Sequence, residues 1–131
     1  MYLLDTNILI RAVQGKEPEG KFLDKIITNN SLVISVVVIA EFLAKANEKE
    51  EVALDKLLSQ VKILEIDERV AREAAEYRKL LQKAKRVIIV DCFLAAQAKL
   101  NKLILVTNNK SDFPMEDIKI ITPSSLSPVL A

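Results

Sequence analysis

The chain has 131 residues, of which 50% are hydrophobic and 28% are charged, and its formal net charge is +1. This composition is typical of a globular protein and excludes a disordered chain, and the length suits a single domain over residues 1–131. The near-neutral charge implies that any contact with nucleic acid uses a local basic patch. Because no apolar run approaches the ~20 residues of a membrane span and no signal peptide is recognisable, we expect a cytoplasmic protein without a membrane partner.

The chain contains no histidine, and Cys92 is its single cysteine. The missing imidazole excludes the usual Ser-His-Asp and Cys-His nucleophiles as well as zinc sites with histidine ligands. One cysteine cannot form a disulfide within the chain. An enzyme with this composition therefore relies on carboxylates, amines, hydroxyls or a metal ion held by oxygen ligands.

In the first half of the chain, short apolar runs alternate with helical periodicity. A strand candidate "MYLL" precedes a helix that begins near Thr6, and a loop over 14–20 leads to a second helix in "KFLDKIITNN". The strand candidate "LVIS" is followed by a helix that Ser35 can cap. A further helix is predicted for the charged segment "NEKEEVALDKLLSQ".

The second half repeats the alternation. The strand candidate "VKILEI" precedes a long helix that Asp67 can cap, and a helix to about Lys99 is predicted to open at Asp91. The strand candidates "LILVT" and "IKIIT" flank the loop "NNKSDFP". The tail over 123–131 is rich in proline and serine, and we expect it to be only partly ordered.

Alternating strands and helices predict an α/β fold with a mainly parallel sheet. In such sheets, functional sites lie outside the carboxyl ends of the strands, where the helices begin. Four acidic residues map to this edge: Asp5 ends the first strand, Glu41 lies in the second turn of the helix after "LVIS", Asp91 opens a helix, and Asp112 lies in the loop after "LILVT". We therefore expect these four carboxylates to converge.

Asp91 stands within the otherwise apolar segment "VIIVDCFLAAQA". A buried carboxylate without a partner is costly, so its presence needs an explanation. One explanation is structural, because aspartate is a favoured N-cap and could cap a helix that begins at Cys92. The other is functional, because the residue belongs to the converging set.

Carboxylates at close quarters repel one another, and a divalent cation relieves the repulsion. Mg²⁺ binds carboxylate oxygens in octahedral geometry, and two such ions can hold the attacking and leaving oxygens of a phosphodiester. Short polar side chains flank two of the acids and could orient water or a substrate phosphate; these residues are Thr6, Asn7, Thr107 and Asn108.

The segments "LLDTNILI", "SVVVIAEFL", "VDCFLAAQA" and "VTNNKSDF" resemble, in order and spacing, the motifs of PIN-domain ribonucleases, particularly the VapC-type toxins. The resemblance extends from Tyr2 to about Pro123. It implies a PIN-like α/β/α sandwich with about five mainly parallel strands, Mg²⁺ or Mn²⁺ as cofactor, homodimerisation and inhibition by a cognate antitoxin. It also implies roles for six residues, with Asp5, Glu41, Asp91 and Asp112 as metal-binding catalytic acids and Thr107 and Asn108 as assisting groups.

Two arginines are candidates for contact with RNA phosphates. Arg86 is close to Asp91 in sequence, and Arg11 lies one helix away from Asp5. The other basic residues over 69–85 are interleaved with glutamates, and we expect them to form a solvated helix face.

The sequence predicts a divalent-metal-dependent endoribonuclease, the toxin of a toxin–antitoxin pair. Two alternatives stay open: a PIN nuclease in RNA processing, and a degenerate PIN domain that binds RNA or protein without cutting.

Overall fold

The computed structural model describes residues 1–81 and 87–124. Within these ranges, one sheet contains the strands β1 (Tyr2–Leu4), β2 (Leu32–Ser35), β3 (Lys62–Leu64), β4 (Ile104–Val106) and β5 (Ile120–Ile121). The helices are α1 (Thr6–Val13), α2 (Glu19–Thr28), α3 (Val36–Lys45), α4 (Glu48–Leu58), α5 (Glu68–Leu81) and α6 (Ile89–Asn101). A short 3₁₀ helix, η1 (Lys110–Asp112), follows β4.

The strand order is β3-β2-β1-β4-β5, and every pairing is parallel. Consecutive residues of a strand point to opposite faces of the sheet, yet Leu3 and Leu4 of β1 and Leu105 and Val106 of β4 are all fully buried. Helices therefore cover both faces of the sheet, as is usual for parallel sheets. The predicted α/β/α fold with five parallel strands is confirmed.

The predicted helix caps at two positions are confirmed. The Ser35 hydroxyl accepts a hydrogen bond from the Val37 amide at 3.1 Å at the start of α3. An Asp67 carboxylate oxygen accepts one from the Val70 amide at 3.0 Å at the start of α5. These caps fix the positions at which the two helices leave the sheet edge.

The start of α6 differs from the prediction. This helix begins at Ile89, so Asp91 lies in its first turn, and Ile88 occupies the N-cap position without a side-chain hydrogen bond. The earlier start places Val87 and Cys92 against the core, while Ile88 stays 52% exposed. The prediction that Asp91 opens the helix, and with it the interpretation of Asp91 as an N-cap, is wrong.

At the end of the chain, Pro123 is buried and the description extends to Ser124. The predicted partly ordered tail thus lies mostly outside the described residues. Among the helices of the described ranges, none combines the length and the apolarity that crossing a membrane requires.

Candidate functional site at the carboxyl edge of the sheet

The structure brings the four predicted acids into electrostatic contact at one edge of the sheet. Asp5 follows β1, and its amide donates a hydrogen bond to the Val106 carbonyl of β4 at 2.9 Å. Asp112 ends η1 beyond β4, Glu41 lies in the second turn of α3, and Asp91 lies in the first turn of α6. The charges of the other three acids all act on Asp91. Four residues that are distant in sequence thus form one acidic cluster.

Hydrogen bonds fix both carboxylate oxygens of Asp5. The Thr6 amide donates to Oδ1 at 2.8 Å, and the Thr107 hydroxyl donates to Oδ2 at 2.9 Å. Burial raises the pKa of Asp5, these two hydrogen bonds lower it, and the charges of Glu41 and Asp112 raise it, so that the pKa lies above its ordinary value. The orientation of Asp5 is therefore set by the protein even though its ionised form is disfavoured.

The hydroxyl groups of two buried threonines connect the acids to their surroundings. Thr6, which is 5% exposed, donates from Oγ1 to Oε1 of Glu41 at 2.5 Å and thereby links α1 to α3. Thr107 is fully buried and also accepts a hydrogen bond from the Asn109 amide at 3.0 Å. Both threonines, which the sequence predicts as supporting residues, contact the predicted acids directly.

Asp91 has a strongly raised pKa. Burial, followed by the charges of Asp5, Asp112 and Glu41, raises its pKa to about 7. The start of a helix favours an ionised carboxylate, so burial and repulsion outweigh the helix dipole at this position. A carboxyl group that is poised near neutral pH in an acidic cluster is characteristic of functional sites.

The chemistry of this donor set fits a divalent cation. The four carboxylates are hard oxygen ligands, and within the described ranges none of them forms a salt bridge with a cationic side chain. In the same part of the chain, no three acidic side chains stand at the spacing of a preformed metal site. A cation bound among these carboxylates would relieve the repulsion between them.

A buried glutamate that the sequence analysis did not single out lies beside the cluster. The Glu19 side chain is 3% exposed, and its Oε2 atom lies 3.0 Å from Nε of Arg11. The Asn108 side-chain amide donates to the same oxygen at 2.8 Å. Glu19 falls in the predicted loop over 14–20, where a charged side chain is expected to be solvated, so no sequence signal marked it; the structure instead begins α2 at this residue.

The remaining predicted supporting residues have different surroundings. Arg11 is 42% exposed at its side chain and pairs with Glu19 on one side. Asn7 is exposed in the first turn of α1, next to Thr6. Arg86 lies outside the described residues.

Comparison with known proteins gives consistent results. The family model of the PIN domain matches residues 2–115 of the sequence. No curated protein sequence matches the chain.

Among solved structures, the chain is similar to one in VapBC2 from Rickettsia felis bound to a DNA fragment from its promoter. The two chains are 27% identical with a TM-score of 0.78, and the match covers 92% of this chain and 97% of the other. DNA-bound VapBC from Salmonella typhimurium gives 25% identity, a TM-score of 0.79, and coverage of 93% and 97%. A toxin–antitoxin complex from Klebsiella pneumoniae gives 25% identity, a TM-score of 0.77, and coverage of 94% and 98%. On the family match and the parallel fold together, the chain belongs to the PIN domain family.

Proposed function

We propose that this PIN domain protein is a divalent-metal-dependent endoribonuclease of the cytoplasm that acts as a VapC-type toxin. The observation that carries the proposal is the acidic cluster, in which burial and the charges of three other carboxylates raise the pKa of Asp91 to about 7. Such a cluster suits a site that binds Mg²⁺ or Mn²⁺ and acts on phosphodiesters. The complete set of four acids argues against the alternative of a degenerate domain that binds without cutting.

Each acidic residue has a specific task in this proposal. Asp5, Glu41 and Asp91 hold the principal ion, and Asp112 completes the cluster or holds a second ion. The Thr107 hydroxyl and the Thr6 amide keep Asp5 in the orientation needed for binding, and the Thr6 hydroxyl does the same for Glu41. When bound, the cation supplies Lewis-acid activation of the attacking water and stabilisation of the charge that develops on the leaving oxygen.

Substrate binding needs positive charge beside the acids, because RNA is itself anionic. Arg11 is suited to contact a phosphate, since its side chain is 42% exposed although Nε lies beside Glu19. We assign the same task to Arg86, on its closeness to Asp91 in sequence. Asn7 and Asn108 are assigned to orienting water or substrate at the rim of the cluster.

A cleavage assay on a labelled single-stranded RNA tests the proposal. We expect cleavage with Mg²⁺ or Mn²⁺, none in EDTA, and recovery when the metal is restored. Asp91→Asn, which removes one carboxylate charge and keeps the side-chain shape, is expected to lose activity at least 100-fold. Asp55→Asn makes the same chemical change at an exposed position of α4 and should cleave at the wild-type rate. Sustained turnover by metal-free protein would refute the mechanism.

The proposed toxin role rests on the complexes to which the chain is similar. Solved relatives with nearly complete coverage are VapBC and toxin–antitoxin complexes. We propose that a cognate antitoxin binds this chain and inhibits it, with a basic side chain placed among the carboxylates. Co-expression with the product of the neighbouring gene, followed by the same assay, is the test. A stable complex with full nuclease activity would contradict the inhibitory role.

We also propose a homodimer. Ile88 and Ile89, at the start of α6 beside Asp91, are 52% and 44% exposed, and adjoining exposed apolar side chains favour an interface. Light scattering coupled to gel filtration should give a mass near twice 14.7 kDa, and Ile88→Asp should shift it toward the monomer. A monomeric wild type at micromolar concentration would exclude a stable dimer.

A further inference from the structure

Glu19 is a buried carboxylate with an incomplete set of partners. Its Oε2 atom accepts a hydrogen bond from the Asn108 amide and lies 3.0 Å from Nε of Arg11. Oε1 of Glu19 and Nε of Arg11 are both buried without a hydrogen-bond partner among the described residues. Burial raises the pKa of Glu19, but the hydrogen bond from Asn108, its own backbone amide and the adjacent Arg11 guanidinium lower it by more, so that the pKa lies below its ordinary value. Because the Arg11 side chain is 42% exposed, its ion pair with Glu19 contributes little to stability. Fold stability alone therefore explains this residue poorly.

The position of Asn108 connects Glu19 to the acidic cluster. Asn108 stands between Thr107, whose hydroxyl holds Oδ2 of Asp5, and Asn109, whose amide donates to that same hydroxyl at 3.0 Å. The turn over 107–109 also leads into η1, which carries Asp112. Within the described part of the chain, the Asn108–Glu19 bond is the side-chain hydrogen bond that joins this turn to α2.

We propose that Glu19 is a positioning residue of the acidic site: through Asn108 it holds the turn over 107–109 in the place from which Thr107 orients Asp5. Among the described residues, the hydrogen-bond and ion-pair partners of Glu19 are Asn108 and Arg11 and none of the four acids, so it acts on the acids through the turn. The inference rests on the proposed metal-dependent function. Residues that orient metal ligands without binding the metal themselves typically contribute 10–100-fold to metal affinity or activity.

The test compares Glu19→Gln, Asn108→Ala and the double variant by calorimetric titration with Mn²⁺, a readout that does not need turnover. We expect each single variant to bind Mn²⁺ about 10-fold more weakly than wild type. The double variant should bind no more weakly than the weaker single variant, because both changes break the same connection. Asn108 is exposed, so Asn108→Ala keeps the test valid if Glu19→Gln folds poorly.

The matched control is Tyr77→Phe. The Tyr77 hydroxyl donates a hydrogen bond to Oδ1 of Asp117 at 2.5 Å. Because Asp117 precedes β5, this bond lies toward the amino edge of the sheet, opposite the acidic cluster. Tyr77→Phe should lose stability and keep the wild-type Mn²⁺ affinity. An equal loss of affinity in Tyr77→Phe would show that general destabilisation, not positioning, weakens the site.

A second readout tests the turn itself in EDTA. Amide hydrogen exchange at Asn109 should accelerate in Glu19→Gln and stay unchanged in Tyr77→Phe, because the Asn109 amide is bonded to Thr107. Unchanged exchange at Asn109, wild-type Mn²⁺ affinity in Glu19→Gln, or additive losses in the double variant would each overturn the inference. If the wild-type protein neither binds Mn²⁺ nor cleaves RNA, the proposed function is refuted, and the proposed role of Glu19 is refuted with it.

Discussion

Glu19 and Asp91 lie beside the same sheet edge but have opposite electrostatic surroundings. Glu19 is the more deeply buried, yet the partners around it hold its pKa below the ordinary value. Asp91 is partly buried and no described cation pairs with it, so burial and the charges of three acids raise its pKa to about 7. A bound cation would neutralise charge in the second arrangement, whereas the charge of Glu19 is already balanced by Arg11.

Sequence reasoning could find Asp91 but not Glu19. Asp91 is conspicuous because a charge interrupts an apolar run, whereas Glu19 stands in the polar segment "GKEPEG" where a solvated side chain is expected. Its burial arises from the approach of α1, α2 and the turn after β4, a tertiary arrangement that no local pattern encodes.

The raised pKa of Asp91 predicts how the stability of the protein changes with pH in EDTA. The ordinary pKa of an aspartate is about 3.9, so between about pH 4 and pH 7 the folded state retains a proton that the unfolded state has released. Stability therefore falls as the pH rises through this window. Asp91→Asn removes the cost of ionising this carboxyl group in the folded state. After allowance for solvent screening, we expect the variant to be more stable than wild type by roughly 1 kcal/mol at pH 8. At pH 4.5 the two proteins should be nearly equal in stability.

Thermal melts at the two pH values measure the effect, for which we expect a gain of about 4 °C at pH 8. Asp55→Asn serves as the control and should melt like wild type at both. The same difference between Asp91→Asn and wild type at both pH values would contradict a raised pKa of Asp91.

At the scale of the elements, the sequence predicts most helices and strands because their periodicities and caps are local. Ser35 and Asp67 are examples in which the predicted cap makes the observed bond. The start of α6 was mispredicted because its β-branched residues favour strands and because Ile88 offers no side-chain cap. Packing of Val87 and Cys92 into the core outweighs both local preferences.

The bond between the Thr107 hydroxyl and Asp5 ties together the ends of two neighbouring strands, β4 and β1. Thr107→Val keeps the shape of this fully buried side chain but deprives Asp5 and the Asn109 amide of their partner. We expect a loss of about 1–2 kcal/mol in the free energy of unfolding and a cleavage rate lower by about 10-fold. Urea unfolding and initial cleavage rates measure the two effects.

Thr107→Ser provides the matched comparison, because it retains the hydroxyl and loses only a methyl group. It should recover most of the cleavage rate. Equal activity of Thr107→Val and wild type would show that the orientation of Asp5 does not depend on this bond.

At the scale of the whole molecule, the alternation of strands and helices was sufficient to predict a parallel α/β fold and the edge at which the acids meet. The strand order β3-β2-β1-β4-β5 places β1 and β4 side by side at the centre, which brings Asp5 and the turn after β4 into contact. Side-chain spacing within the cluster could not be predicted, because it depends on how α3 and α6 pack beside the sheet.

We propose that the four acids form one metal-binding unit, and calorimetric titration of Mn²⁺ into wild type, Asp91→Asn and Asp55→Asn tests this. Loss of one ligand from a shared site weakens binding, whereas loss of an exposed carboxylate on α4 does not. The account predicts that Asp91→Asn binds at least 10-fold more weakly than wild type, while Asp55→Asn binds with wild-type affinity. Equal Mn²⁺ affinity in all three proteins would contradict it.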